Sequence, residues 1–264
     1  MLARFRAIKR KQDFNPGFLG LLLNPFYFAR KGLHQNIVML AAGIQGRILD
    51  VGCGSKPYRR YFNAVEYVGL EMAGRQNPEA DSYYDGKVFP FQTGTFDSVL
   101  TSQVLEHVFN PYEFLAEINR VLKDGGSLLL TVPFVWDEHE QPFDYARYSS
   151  FGLRHLLEEH GFEVVALRKS MDDVRMIFQM TNAYIYKKTV TRSHSVNLLV
   201  TLLLMAPFNM LGEAAGRILP HNSDLYLDNI VLARKKPGSQ SRGERRVGWY
   251  GDPAPKAATQ SIGQ

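Results

Sequence analysis

A chain of 264 residues, 45% hydrophobic and 22% charged, can bury a sizeable core, and its balance excludes a wholly disordered, collagen-like or polytopic membrane protein. Its single cysteine, Cys53, excludes an intrachain disulfide framework and a cysteine-built zinc cage, and no metal is expected. The net charge of +5 is gathered at the ends: Arg4, Arg6, Lys9, Arg10 and Lys11 before the first acid, Asp13, and Arg234, Lys235, Lys236, Arg242, Arg245 and Arg246 at the start of the tail.

The near-neutral middle argues against a nucleic-acid enzyme, which carries a basic face across its folded body. The basic ends read either as solvated termini or as segments that lean on an anionic membrane surface. Phe18 to Phe28 is apolar, but Asn24-Pro25 interrupts it and it is too short to span a bilayer. The same break argues against a cleaved signal. His34–Ala42 is predicted as a helix leading into the first strand.

Strands then alternate with helices. Arg47–Val51 (RILDV), Glu66–Leu70 (EYVGL) and Phe96–Thr101 (FDSVLT) read as strands. Pro111–Leu122 has Phe114, Leu115, Ile118, Val121 and Leu122 at helical spacing, and Lys123-Asp124-Gly125-Gly126 ends it with turn chemistry. Ser127–Val132 is an apolar strand, Phe151–His160 a helix stopped by Gly161, Phe162–Leu167 a strand and Leu225–Ala233 a late strand. This order predicts an α/β fold, a doubly wound and mainly parallel sheet covered on both faces. The expected organisation is a helical lead-in over 1–45, a domain over 46–234 and a disordered tail over 235–264.

An insertion, 171–223, separates the last two strands. Its stretch Val196–Leu211 (VNLLVTLLLMAPFNML) is almost wholly apolar. As a helix it would reach about 24 Å, short of a ~30 Å hydrocarbon core, and Asn197, Pro207 and Asn209 weaken a spanning reading further. It reads as a buried helix or lid over the site, or as a helix lying in the membrane interface.

The segment Ile48-Leu49-Asp50-Val51-Gly52-Cys53-Gly54 carries the first chemical signal. A buried strand runs into a Gly-x-Gly turn, and open α/β sheets bind ligands at such strand ends. A dinucleotide fingerprint requires a third glycine at position 57, which is Pro57. A nucleoside without phosphates suits the turn better. Glu71 ends the second strand, 21 residues after Asp50, where a carboxylate can accept from both ribose hydroxyls.

With Asp85-Gly86-Lys87-Val88-Phe89-Pro90-Phe91, Gln103-Val104-Leu105-Glu106-His107-Val108 and RVLKDGGSLLLTVPF over 120–134 in the same order, the chain resembles the class I S-adenosylmethionine-dependent methyltransferases, nearest to those with a type 11 methyltransferase domain. The likeness covers about 90 residues, Arg47 to Phe134, and extends through the flanking strands to Ala233. It implies a seven-stranded sheet with the last strand antiparallel. It implies that S-adenosylmethionine is the cofactor, with Asp50, Gly52 and Gly54 along its methionine half and Asp50 near the ammonium group. It implies Glu71 on the ribose diol, Asp85 on the adenine amine, Gly86 against the ring and Gln103 near the sulfonium. His107 reads as a structural residue at a helix start, and Cys53 as a small buried filler.

The loop after the fifth strand, Trp136 to Ser149, is dense in titratable and aromatic groups at the same end of the sheet. Methyl transfer needs alignment, and a hydroxyl acceptor also needs a base. The candidates are His139 as base, with Asp144 orienting it or acting in its place, and Tyr145 beside them. Glu140, Arg147 and Tyr148 are candidates to grip the acceptor. The alternative is that Asp144, Tyr145 and Arg147 brace the loop. HEQPFDYARYS resembles a loop of methyltransferases of surface-polysaccharide or glycolipid building. The expectation is therefore O-methylation of a small or lipid-linked acceptor by a cytoplasmic enzyme, peripheral on the inner face of the membrane through 196–211 and the basic ends. The alternatives are C-methylation of a lipophilic, quinone-like ring, or a cofactor-binding module without turnover. No base-flipping motif of the Asn-Pro-Pro-Tyr type follows the fourth strand, so no nucleic-acid partner is expected.

Overall fold

The computed structural model describes residues 12–74 and 76–239. The basic runs before residue 12, Arg242 to Arg246 and the tail beyond 239 lie outside the described residues. Seven strands form one sheet in the order β3-β2-β1-β4-β5-β7-β6. They are β1 (Gln45–Val51), β2 (Asn63–Met72), β3 (Ser82–Tyr84), β4 (Phe96–Ser102), β5 (Leu122–Pro133), β6 (Phe162–Lys169) and β7 (Asp228–Lys235). β1 to β5 pair in parallel, and β7 runs antiparallel between β5 and β6.

The apolar strands are buried on both faces, as a parallel sheet requires. Leu49, Val51, Val99, Leu128 and Leu130 pack under α3 (Pro111–Val121) and α4 (Ser150–Glu159). Ile48, Leu100, Leu129 and Ile230 face the other way, under Leu33 and Ile37 of α2 (Tyr27–Leu40). Asn110 caps α3, its side chain accepting from Glu113 N, and Ser149 caps α4 through Gly152 N.

Some boundaries differ from the expectations. α2 begins at Tyr27, not at His34, because the Asn24-Pro25 break ends a separate helix α1 (Phe18–Leu23) and Tyr27 and Phe28 are already core residues. The Lys123–Gly126 turn lies within β5 as a register break: Phe96 pairs Leu122, and Ser98 pairs Ser127. Lys235 belongs to β7 and not to a tail, since its buried ammonium donates to the carbonyls of Asn119 and Leu122, each at 2.9 Å.

The insertion is helical: α5 (Arg175–Thr189), α6 (His194–Val200), a π turn over Thr201–Met205, and α7 (Ala206–Ile218). α6 to α7 runs as one helix, His194–Ile218, of 25 residues, about 37 Å at the α-helical rise. It is thus longer than the 16-residue apolar stretch implied, and by length and composition it could cross a membrane. It lies instead along the domain. Asn209, fully buried, donates to the carbonyls of Leu21 and Asn24 at 3.0 and 3.1 Å, and its Oδ1 accepts from Asn182 at 2.9 Å. Gln179 accepts from Phe28 N and Ala29 N and donates to Pro25 O. These buried amides satisfy backbone groups that the α1–α2 break leaves without helical partners.

Candidate active site

The β1 strand carries Asp50 and Val51 to the sheet's C-terminal edge, where Gly52 and Gly54 turn with φ of +72° and +47°. A Cβ on Gly52 would stand 2.4 Å from Val104, whereas a Cβ on Gly54 would meet nothing within 4 Å among the described residues. The first glycine is therefore needed for close packing and the second opens onto space for a ligand. Glu71, 7% exposed at the end of β2, faces that space, and its Oε2 accepts from Gly54 N at 3.4 Å. Asn77 donates to Gly54 O at 2.8 Å and to Glu71 Oε2 at 3.3 Å. Asp50 is buried, and the hydroxyl of Tyr67 donates to its Oδ2 at 2.7 Å. Burial pushes the Asp50 carboxyl up to about 7. Cys53 is also buried, its thiol pushed up to about 12 by the same cause, which leaves it un-ionised and no nucleophile.

Asp85 follows β3 in an exposed turn, with Oδ1 accepting from Lys87 N at 2.9 Å and Val88 N at 3.1 Å. Those amide bonds hold its carboxyl below the ordinary value. Gly86 turns at φ +90° beside Met72. Gln103 sits at φ +58° just past β4 and donates through Nε2 to Thr131 Oγ1 at 3.2 Å. It lines a cavity of about 320 Å³ between α2, the β5 loop, α5 and β7. Phe26, Arg30, Trp136, His139, Tyr186 and Asp228 share that wall.

The chain matches the family described as a methyltransferase domain over residues 26–167, more than half its length. The chain belongs to that family. An uncharacterised protein of Methanocaldococcus jannaschii is 32% identical to this chain over 130 residues, 46% of this chain and 56% of that one. A ubiquinone biosynthesis O-methyltransferase of Maricaulis maris is 28% identical over 129 residues, 40% of this chain and 51% of that one. The chain spans about half the length of the curated relatives it matches. The phosphoethanolamine N-methyltransferase 2 of Haemonchus contortus, solved with S-adenosylmethionine, superposes with a TM-score of 0.50 at 17% identity over 86% of this chain and 60% of that one. The [4+2]-cyclase SpnF superposes at 0.52 with 18% identity over 87% and 96%. Such identities show the shared fold, and the pair illustrates that the fold does not by itself fix the reaction.

The cofactor of this methyltransferase is S-adenosylmethionine, and the open cradle at Gly54 beside a buried carboxylate fits its nucleoside. Glu71, Asp50, Gly52, Gly54, Asp85, Gly86 and Gln103 are the residues that would hold it.

The acceptor side differs from several sequence expectations. His139 does line the cavity, but Asp144 does not serve as a base. Its side chain is buried, accepts from Arg147 at 2.6 and 2.7 Å and from His139 N at 2.9 Å, and is held down to about 2 chiefly by the Arg147 guanidinium. Arg147 does not grip the acceptor. All five of its donors are taken, by Asp144 and by the carbonyls of Trp136, Asp137 and Ala146. Tyr145 stands exposed, its ring edge-on to Phe109 at 5.3 Å, outside the cavity wall. Tyr148 packs on the main core, where burial pushes its phenol up to about 12. Glu140 lies exposed at the tip of the loop at φ +51°. Asp144 and Arg147 thus brace the loop and aim His139.

Arg30, Trp136, Tyr186, Asp228 and Asn77 were not singled out from the sequence. Asp228 is buried at the start of β7 and pushed up to about 6 by burial, accepting from Ser170 at 2.6 Å. A carboxylate inside the apolar run LYLDNIVLA was its only signal; Asn77, in a turn, had none.

Proposed function

We propose that the protein methylates a hydroxyl oxygen of a lipid-linked acceptor presented at a membrane surface. The observation that carries this reading is the position of His139. It stands on the wall of a cavity that also contains Gln103, at the sheet edge where the methionine half of the cofactor belongs. When bound, S-adenosylmethionine supplies a methyl group on a sulfonium, which departs as a neutral thioether. His139 handles the proton that the acceptor hydroxyl loses as its oxygen–carbon bond forms. Phe26, Trp136 and Tyr186 exclude water and orient the acceptor.

The lipid link is supported by the outer face of the helical cover. Leu199, Leu203, Met210, Leu211 and Ile218 are exposed along α6–α7, and Phe18 and Leu19 are exposed on α1, which packs against that helix. Exposed apolar side chains on these packed helices suit the interfacial plane of a bilayer. The proposed location is therefore the inner membrane surface, from the cytoplasmic side. The ubiquinone O-methyltransferase relatives support an oxygen acceptor. The aromatic cavity wall keeps one second reading open, C-methylation of a flat lipophilic ring.

The test is transfer of labelled methyl from S-adenosylmethionine into lipid and aqueous extracts. The proposal expects an organic-phase product with an O-methyl group and at least a hundredfold lower kcat in His139→Ala. A C-methyl product would establish the second reading. A purely water-soluble product would remove the lipid link.

A further inference from the structure

Behind His139, the 3-10 turn Leu105–His107 places a carboxyl group where nothing pairs with it. Glu106 is 0% exposed, and among the described residues neither Oε1 nor Oε2 has a hydrogen-bond donor. A buried carboxyl without partners costs several kcal/mol, and an amide or an apolar residue would fill the place more cheaply. Two imidazoles converge on it. His107 Nε2 lies 3.8 Å from Glu106 Oε1, and the His107 and His139 rings meet edge to face at 4.7 Å.

The proton positions follow from the other ring nitrogens. His107 Nδ1 lies 2.7 Å from the carbonyl of Phe143, which can only accept, so Nδ1 carries the proton. His139 Nδ1 is flanked by the carbonyl of Asp137 at 3.2 Å and the Asp144 carboxylate at 3.3 Å, and the Arg147 Nη2 beside it already donates to both oxygens. Its proton is on Nδ1 too. Nε2 is therefore the unprotonated nitrogen of both rings, and that of His107 faces Glu106. This is the arrangement that orients metal-bound histidines, the second nitrogen tied to a carbonyl or carboxylate. Glu106, His107 and His139 each offer a ligand atom, all within 4.8 Å of one another. By contrast, in the cluster of Asp172, Asp173 and His221 the Asp173 carboxylate is already taken by Arg175.

We infer that Glu106, His107 and His139 form a binding site for a divalent first-row metal ion such as Zn2+ or Mn2+. Two imidazoles and one carboxylate, with further positions left to solvent or substrate, match the donor set of catalytic rather than closed structural sites. The site opens to the acceptor cavity through His139. Resting on the methyltransferase reading, a bound ion would occupy His139 Nε2 and take over that imidazole's part in removing the acceptor proton, by lowering the pKa of a hydroxyl brought to it, and Asp144 and Arg147 would be the positioning residues of a ligand.

The experiment is titration of tag-free, metal-stripped full-length protein with Co2+, followed by visible absorption, with Zn2+ as competitor. We expect one equivalent per chain with ligand-field bands, displaced by Zn2+, and affinity lowered at least about tenfold in Glu106→Gln and again in His139→Gln. Bands that are absent from the wild type at millimolar Co2+, or that persist unchanged in both variants, would overturn the site. If Glu106→Gln fails to fold, His139→Gln alone decides, its side chain being partly exposed on a loop. Calorimetric binding of S-adenosylhomocysteine to the same stripped protein separates the two readings. Binding without Co2+ bands sinks only the metal site, and Co2+ bands without S-adenosylhomocysteine binding sink only the methyltransferase reading.

Discussion

Asp50 holds its carboxyl where water scarcely reaches, and its pKa of about 7 stands above its ordinary 3.8. Between those values the unfolded chain has lost the proton and the folded chain has kept it, so stability falls as pH rises from about 4 to 7. Asp50→Asn keeps an acceptor for Tyr67 and removes that loss. We expect its melting temperature relative to wild type to climb from pH 5 to pH 8, and scanning calorimetry at both values checks it. A cationic ligand group beside Asp50 would favour the ionised form, so wild-type affinity for S-adenosylhomocysteine should rise over pH 6 to 8 and that of Asp50→Asn should stay flat. At Gly52 two constraints coincide, a φ of +72° and the 2.4 Å approach to Val104. Gly52→Ala should lose about 1–3 kcal/mol of stability, read from urea unfolding. Residue types and order made the glycine turn after β1 and the carboxylate at the end of β2 legible in the sequence as a candidate cradle, because glycine and carboxylate positions there answer to backbone geometry. The acceptor half was legible only as a rich loop. Which of its charges reach the cavity depends on pairing: the Asp144–Arg147 bonds that consume both groups exist only in three dimensions.

The strands and helices follow from periodicity wherever burial is continuous, as in β1, β4, β5, α3 and α4. β3 was missed because three residues, Ser82–Tyr84, at the edge of the sheet leave too short a pattern to read. The insertion was legible as helical and apolar, but not in its seating. Asn209 and Pro207 looked like defects in a membrane helix, and Asn209 is instead the residue that fastens α7 to the α1–α2 break through two backbone carbonyls. Asn209→Leu takes the side-chain donor from those carbonyls and leaves Asn182 Nδ2 only its bond to Met205 O. It should cost about 2–3 kcal/mol and lower the melting temperature by roughly 5–10 °C, measurable by circular dichroism.

As a whole, the molecule stacks three parts over one sheet edge: the cofactor loops, the braced loop of His139 and a helical cover whose outer face is apolar. If that face meets lipid, Leu203→Glu with Leu211→Glu should reduce co-sedimentation with anionic vesicles at least about tenfold, while leaving S-adenosylhomocysteine affinity unchanged, since both side chains are exposed and neither belongs to the cradle. The central claim, however, is the cofactor site, and it is tested by calorimetric titration of S-adenosylhomocysteine, in parallel with NAD, into wild type and Glu71→Ala. We expect micromolar binding of S-adenosylhomocysteine alone, at one site per chain, weakened at least a hundredfold in Glu71→Ala. Binding of NAD instead, or S-adenosylhomocysteine affinity that Glu71→Ala leaves intact, would contradict the assignment of the β1 turn and the β2 carboxylate as its cradle.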